Sequence, residues 1–391
     1  MKNEPVLMLL GHDMEKPFLD PRVLKEAKSL TSMGVSVQIT CLSDRDHQSS
    51  IDRVPITRIK RPFGAKKLLK KKPFLALLLL IVELPLGYLQ AIQQVRKAQP
   101  KRVHCHDIDT LPIGVAIKIL KPQVQLVYDS HELAIGMPFP ALIRLMVRGA
   151  EAMMLPFVDI LVTANSARMR IMEKTYGKIL KSKSKFVIEN YPEPAQSTPA
   201  PAEFDQSRLS NKTIFIYQGP LDPNRGIRQV LQGFCQLSRG DWYLFIVGGH
   251  REQVESLRAE FSHENIHFTG FVPNTEVPRY QALADVGIVA LLNTCMNNYY
   301  CSPNKLYEYM QTGCAILGPN FEDIRAFIVE RGIGMVTDFS DPHQIAATIE
   351  KMIAAREEVQ LMKRRSLEAS GEFVWNQNTP VLAQLYAQEC Q

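Results

Sequence analysis

The stretch Cys301–Gly318, CSPNKLYEYMQTGCAILG, reads as a loop, a helix and a strand in succession. Ser302 suits an N-cap and Pro303 a first helical residue. Gly313 suits the helix exit, and the apolar Ala315–Leu317 then reads as a strand. At the helix start the amides of Asn304 and Lys305 have no intrahelical partner, which favours an anion. Lys305 adds a full positive charge there. Glu308 follows three residues later on the same face, about 5 Å along the axis. That spacing fits a diphosphate at Lys305 and a ribose diol at Glu308. It also fits an ordinary i,i+3 ion pair on a capped helix, the simpler reading of this stretch in isolation.

The preceding segments repeat the theme. Ile214–Gly226, IFIYQGPLDPNRG, reads as a strand ending at Gly219, a turn with Pro220 and Pro223, then Arg225-Gly226 opening a helix. Gly219 permits close backbone approach, and Arg225 can reach a phosphate. Val247-Gly248-Gly249 ends another strand in the same manner. Three such loops in one sheet point to a nucleotide.

The same strand–helix alternation runs through the first half: a strand at Val6–Leu10, a helix over Asp20–Met33 and strands at Val35–Thr40, Val103–Cys105, Leu126–Tyr128 and Ile160–Thr163. It predicts an α/β protein with parallel sheets covered on both faces. The four-proline stretch Tyr191–Asn211 breaks it. The expected organisation is a doubly wound domain over residues 1–192, a linker over 193–211 and a second doubly wound domain over 212–372. A C-terminal helix within 373–391 is expected to pack back toward the first domain. Two such domains imply a cleft, with ligands beyond the C-terminal strand ends.

Composition excludes several classes. The chain has 391 residues, 46% hydrophobic and 22% charged, which argues against disorder and fibres. No run of about 18 apolar residues suggests a transmembrane helix. The apolar run Pro5–Leu10 is too short for a signal peptide. Seven scattered cysteines without CxxC spacing argue against a disulfide scaffold or a four-cysteine zinc site and suit a reducing cytosol. The net charge of +6 conceals an asymmetry: residues 1–190 hold 30 basic and 17 acidic residues, and the remainder 16 and 23. The first half should therefore meet something anionic.

Arg58–Lys72 carries eight basic residues and no acid, and Phe74–Val82 is entirely apolar. Nine apolar residues cannot span a bilayer. They can lie in an anionic membrane surface with Lys66, Lys67, Lys70, Lys71 and Lys72 against lipid phosphates, each cation contributing roughly 1 kcal/mol. The other reading is a buried helix after a solvated basic loop. No zinc-finger, ribonucleoprotein or helix-turn-helix pattern accompanies the charge, so nucleic acid is not an expected partner.

His104, His106, Asp107 and Asp109 crowd one strand end, and Asp129-Ser130-His131-Glu132 another. Alternation puts His104 and His106 on one side, which can suggest metal ligands.

These residues resemble a known family. Gly219…Arg225-Gly226, Val247-Gly248-Gly249, Phe268–Pro273, Ala284-Asp285-Val286 and Ser302–Tyr309 with Gly313 look like the donor-binding domain of family 4 glycosyltransferases, which have the GT-B fold. The first half shows Asp20-Pro21-Arg22, His104–Asp107, Tyr128–Glu132 and Asn190-Tyr191-Pro192. The resemblance implies that Glu308 binds the donor ribose, Arg225 the pyrophosphate, and that Val272 lies beside the base. Gly219, Gly248, Gly249, Ser302, Asn304 and Lys305 complete the donor site, and Gly11 approaches the diphosphate from the opposing domain. His106 faces the donor sugar with Asp107 beside it at the reacting centre; His131 shapes the acceptor side or is structural, and Glu132 is more simply a capping residue. No metal or other cofactor is expected, because GT-B enzymes usually bind their donors without one.

Two positions depart from the common pattern. Tyr300 stands where many members have a first glutamate, and Pro220 where many have an arginine. The Ser-Pro-Asn-Lys variant also occurs among relatives, with Lys305 expected to supply the lost charge. The implied function is retaining transfer of a hexose from a nucleotide-diphosphate sugar to an acceptor hydroxyl. A lipid-linked saccharide in polysaccharide or glycolipid synthesis, at the cytoplasmic face of the cell membrane, is the expected acceptor. The rivals are a nonhydrolysing sugar-nucleotide epimerase of the same fold and a catalytically silent partner subunit.

Overall fold

A computed structural model describes residues 5–15, 20–43, 46–60, 88–93, 95–194 and 206–387. The chain divides into two compact units, residues 1–189 with 378–391, and residues 190–377.

The sheet of the first unit contains β1 (Val6–Leu10), β2 (Val37–Ser43), β3 (His47–Ile51), β4 (Val54–Lys60), β5 (Arg102–His106), β6 (Gln125–Ser130), β7 (Ile160–Thr163) and β8 (Ser184–Val187). Their order is β3-β4-β2-β1-β5-β6-β7-β8. All neighbours are parallel except the hairpin β3–β4. Every residue of β1, β5, β6 and β7 is buried, as expected of parallel strands covered on both faces. The chain order reverses between β1 and β5, which opens a crevice at their C-terminal ends.

The sheet of the second unit is wholly parallel: β9 (Thr213–Gln218), β10 (Trp242–Val247), β11 (Ile266–Gly270), β12 (Val286–Ile288), β13 (Ala315–Pro319) and β14 (Gly334–Thr337). The order β11-β10-β9-β12-β13-β14 is the dinucleotide-fold arrangement, with its switch point between β9 and β12. Alternate residues feed two cores. Phe215, Tyr217, Leu244 and Ile246 pack on one face, and Ile216, Tyr243, Phe245 and Ile316 on the other.

Several boundaries differ from the sequence expectation. Tyr191 packs edge-on against Tyr307 and Phe373, and the Trp375 amide donates to the Pro192 carbonyl at 2.8 Å. Residues 190–192 and 373–377 thus belong to the second unit. The helix Thr379–Ala387 belongs to the first. Of the expected linker, residues 195–205 lie outside the described residues, while Leu209 packs in the second unit's core.

The basic segment also needs correction. Arg58 lies in β4, is buried, and is ion-paired with Asp13 at 3.3 Å and with Glu15. A guanidinium held by two carboxylates is not available to lipid phosphates. Residues 61–87, including the lysines and Phe74–Val82, lie outside the described residues. No helix among the described residues is long and apolar enough to cross a membrane.

Candidate functional site

In the second unit, β9 ends at Gln218 and the chain turns at Gly219, φ +117°. A Cβ there would stand 2.8 Å from Lys305 Nζ, so glycine is required by both the backbone and its neighbour. The adjoining Gly248, φ +118°, packs so closely that a Cβ would lie 2.6 Å from the Gly219 carbonyl oxygen. Gly249 follows at φ +87°. The two strand-end turns therefore bring bare backbone together at the switch point.

The helix Asn304–Gln311 is pinned beside these turns by Tyr309. Its ring lies where a Cβ at Gly287 of β12 would be, and its hydroxyl accepts from the Gln218 amide at 3.1 Å and donates to the Ile216 carbonyl at 3.2 Å. One turn of helix then presents Lys305 and Glu308 together. Lys305 Nζ donates to the Gln218 carbonyl and lies 4.5 Å from the Tyr217 ring centroid. Glu308 accepts from Gln218 Nε2, and the side-chain Oε1 of Gln218 accepts from Gln281 Nε2. The two helix residues thus meet through Gln218, which the sequence reading missed. Its signal was a polar residue closing an otherwise apolar strand. Burial, and then the nearby Arg225, push the Lys305 ammonium down to about 7 against the pull of Glu308. Its charge is poised to respond to an anion.

The remaining candidates fall nearby with one correction. Arg225 is half-buried at the end of the short turn Pro223–Arg225, and Gly226, φ +71°, leads into the helix Ile227–Cys235. Val272 packs, half-buried, in the loop after β11. Ser302 does not cap: the helix begins at Asn304, with Pro303 in extended conformation before it. The Ser302 hydroxyl instead shares a 2.6 Å hydrogen bond with Tyr307, an aromatic hydroxyl reaching back over the helix start.

In the first unit, the β5–β6 register sets His106 opposite Asp129. His104 and His106 stack with centroids 4.3 Å apart and planes 16° off parallel. His104 Nδ1 shares a 2.6 Å hydrogen bond with Tyr386, a residue from the C-terminal helix. His106 Nδ1 lies 2.9 Å from His131 Nε2, which is 3.2 Å from Asp129 Oδ2. Asp129 is wholly buried and is gripped by Arg22 Nη2 at 3.1 and 3.0 Å. Arg22 comes from the helix Pro21–Ser32, whose first turn is capped by Asp20 at 3.1 and 3.2 Å. Its Nε also faces Glu26 at 3.2 Å.

Electrostatics orders the protons. Burial alone would raise Asp129, but Arg22 and then His131 hold it well below the usual carboxylate range. Burial opposes charge on His131, yet Asp129 and then Asp107 raise it to about 9. Burial, with His104 and His131 beside it, holds His106 well below the ordinary imidazole value. A protonated His131 must donate through Nε2, so a neutral His106 accepts at Nδ1 and keeps its hydrogen on Nε2. His106 Nε2 is buried and has no hydrogen-bond partner among the described residues. It is an oriented N–H donor.

Asp107 adopts φ +63° at the strand end, accepts from the Glu132 amide at 3.2 Å and lies 3.8 Å from His131 Nδ1. Its side chain therefore faces His131. Gly11 follows β1, and a Cβ there would fall 1.7 Å from Asp109 Oδ2. Gly11 thus makes room for the Asp109 carboxylate.

Glu26, His104, His106 and Asp129 offer donor atoms within 4.8 Å of one another, a spacing that can hold a metal ion. The donor set fits a metal poorly. Arg22 already faces both carboxylates as a permanent buried cation, and a second cation would meet its repulsion in a low-dielectric site. Burial, and then Asp129, raise Glu26 against the pull of Arg22, which disfavours the anionic form a metal would need. Arg22, Glu26 and Tyr386 escaped the sequence reading as site residues; the signal was a charged i,i+4 pair within an otherwise core-facing helix.

The comparisons bear on the fold and on the second unit. Residues 212–355 match the family described as "Glycosyl transferases group 1". No curated protein sequence matches the chain. Among solved structures, the chain resembles the sucrose-phosphate synthase of Thermosynechococcus elongatus (16% identity, 98% of each chain covered, TM-score 0.75). It also resembles the Anabaena HepE protein in complex with UDP and glucose (11% identity, 98% of this chain and 99% of that one, TM-score 0.70). A third likeness is to the UDP-forming α,α-trehalose-phosphate synthase of Burkholderia vietnamiensis (11% identity, 99% of each chain, TM-score 0.67). The chain has the GT-B fold of two Rossmann-like units, residues 212–355 of its second unit are similar to the glycosyltransferase group 1 family, and it is a glycosyltransferase.

Proposed function

We propose that the protein is a retaining hexosyltransferase that uses a nucleotide-diphosphate sugar and serves polysaccharide or glycolipid synthesis at the inner face of the cell membrane. The observation that carries the donor assignment is the joining of Lys305 and Glu308 through Gln218 beside Gly219, at a switch point of dinucleotide-fold order. Lys305, Arg225 and the amides at Asn304 hold the diphosphate. Glu308 accepts the ribose hydroxyls, and Val272 lies beside the base. The UDP-bound state of a fold relative makes uridine nucleotides the first to test.

The histidine crevice of the first unit serves the transferred sugar and its acceptor. The bond from the sugar C1 to the diphosphate oxygen breaks as the acceptor oxygen bonds to C1 on the same face. A donor phosphate oxygen takes the acceptor proton. Lys305 and Arg225 stabilise the charge developing on the leaving diphosphate. His106 Nε2–H donates to a sugar hydroxyl, while His131 and Asp107 hold the imidazole in that tautomer. No metal takes part in this scheme. The acceptor is a lipid-linked saccharide, in keeping with the basic first half and with a peripheral membrane contact through residues 61–82. The test is incubation with a panel of nucleotide sugars and lipid extract, followed by mass spectrometry. A hexose added to a lipid saccharide with the anomeric configuration of the donor is the expected product. Turnover of the donor without acceptor would point to an epimerase, and no turnover with any pair to a silent subunit.

A further inference from the structure

The helix Ala141–Met154 of the first unit is inverted. Its acid faces inward: Glu151 is buried and accepts from the hydroxyls of Tyr128 and Tyr176, both at 2.7 Å. Its apolar stripe faces outward. Leu142, Leu145, Met146 and Met153 are each 65–71% exposed, and with Gly149 they follow the i, i+3, i+4, i+7, i+11 spacing of one helix face. Ile143 widens the stripe, and Phe139 and Phe157 flank it. Seven of the fifteen exposed large apolar side chains among the described residues fall between Phe139 and Phe157. A soluble helix normally buries such a stripe, so this concentration marks a contact surface.

We infer that this helix docks the first unit onto an anionic lipid bilayer. Charge selects that occupant. The exposed charged side chains of the helix are Arg144 and Arg148, and its one acid is turned into the core. An apolar face with arginines beside it is the composition of an interfacial helix, which lays its stripe among acyl chains and its cations at headgroup phosphates. A second copy docked face to face would bring four arginines together with no acid from the helix to pair them. This surface is separate from residues 61–82, and it does not depend on the donor-site assignment.

The test uses the full chain with Met146→Trp, whose emission is followed against vesicles of phosphatidylglycerol and phosphatidylcholine, without donor. The two natural tryptophans, Trp242 and Trp375, are buried in the second unit and give a fixed background. Vesicles should shift the emission of the new tryptophan to the blue, and brominated lipids should quench it. The outward variant Leu142→Ser/Leu145→Ser/Met146→Ser should keep the thermal midpoint and lose about 100-fold in vesicle affinity. Three results overturn the proposal: vesicle binding with the tryptophan still in water, vesicle affinity unchanged in the triple variant, or a tryptophan already buried before lipid is added. The last would mean that a second copy or another segment of the chain covers the stripe, and light scattering separates those two.

Discussion

The two switch-point crevices share a backbone plan and differ in their chemistry. In the second unit, glycine turns leave bare backbone beside a lysine poised near neutrality and a glutamate. In the first, the space is filled by a prearranged network in which Arg22 and His131 flank one buried carboxylate. One crevice is built to receive charge and the other already contains it. The same topology thus yields a binding site where side chains are small and an orienting site where they interlock. That division suits a reaction that grips an anionic leaving group and positions a neutral sugar.

Substitutions can break or sharpen this division. His106→Ala should reduce kcat by about 10²–10³-fold, the range for losing one preorganised donor, while nucleotide affinity stays unchanged by calorimetry. Equal losses in both would erase the distinction between the crevices. Glu308→Ala should weaken nucleotide-sugar binding by about 10- to 100-fold, as for a lost charge-assisted hydrogen bond. Its effect should vanish at saturating donor if Glu308 only binds.

The pH dependence sharpens the receiving side. Lys305 titrates at about 7 in the free protein, and a bound diphosphate favours its charged form. Binding therefore takes up a proton, and affinity should fall by about tenfold between pH 6 and pH 8. The Lys305→Arg variant should flatten this profile; a wild-type affinity constant over that interval would refute the poised lysine. The smallest effect probes the orienting side. Tyr386→Phe leaves His104 Nδ1 without its partner and should cost about 1 kcal/mol, or roughly fivefold in kcat, with donor affinity retained. A change in donor affinity instead would place the C-terminal helix in a different role.

The strand-end turns of the second unit were legible because they rest on backbone. Gly219, Gly248 and Gly249 are read directly as strand-end turns, and the spacing of Lys305 and Glu308 puts them on one helix face. What stayed hidden was the role of Gln218, since it lies about 90 residues from the pair it joins and its one local signal is a polar residue closing an apolar strand. The N-cap expectation for Ser302 failed because Tyr307, five residues on, claims its hydroxyl. In the first unit His106 stood out as a histidine at a strand end. Asp129 was visible only as one member of a strand-end cluster and Arg22 only within Asp20-Pro21-Arg22, because their roles, with that of Tyr386, arise from strand register and from a helix nearly 300 residues downstream. Arg58 misled in the opposite direction: a basic run in sequence conceals which member is buried with acids from another loop.

Hydrogen exchange of the full chain with and without saturating nucleotide sugar tests the central claim most directly. The account predicts new protection of the amides in residues 218–226 and 300–311, where the glycine turn, Arg225, Lys305 and Glu308 hold the donor. Protection confined to other segments, with these two unchanged, would contradict it.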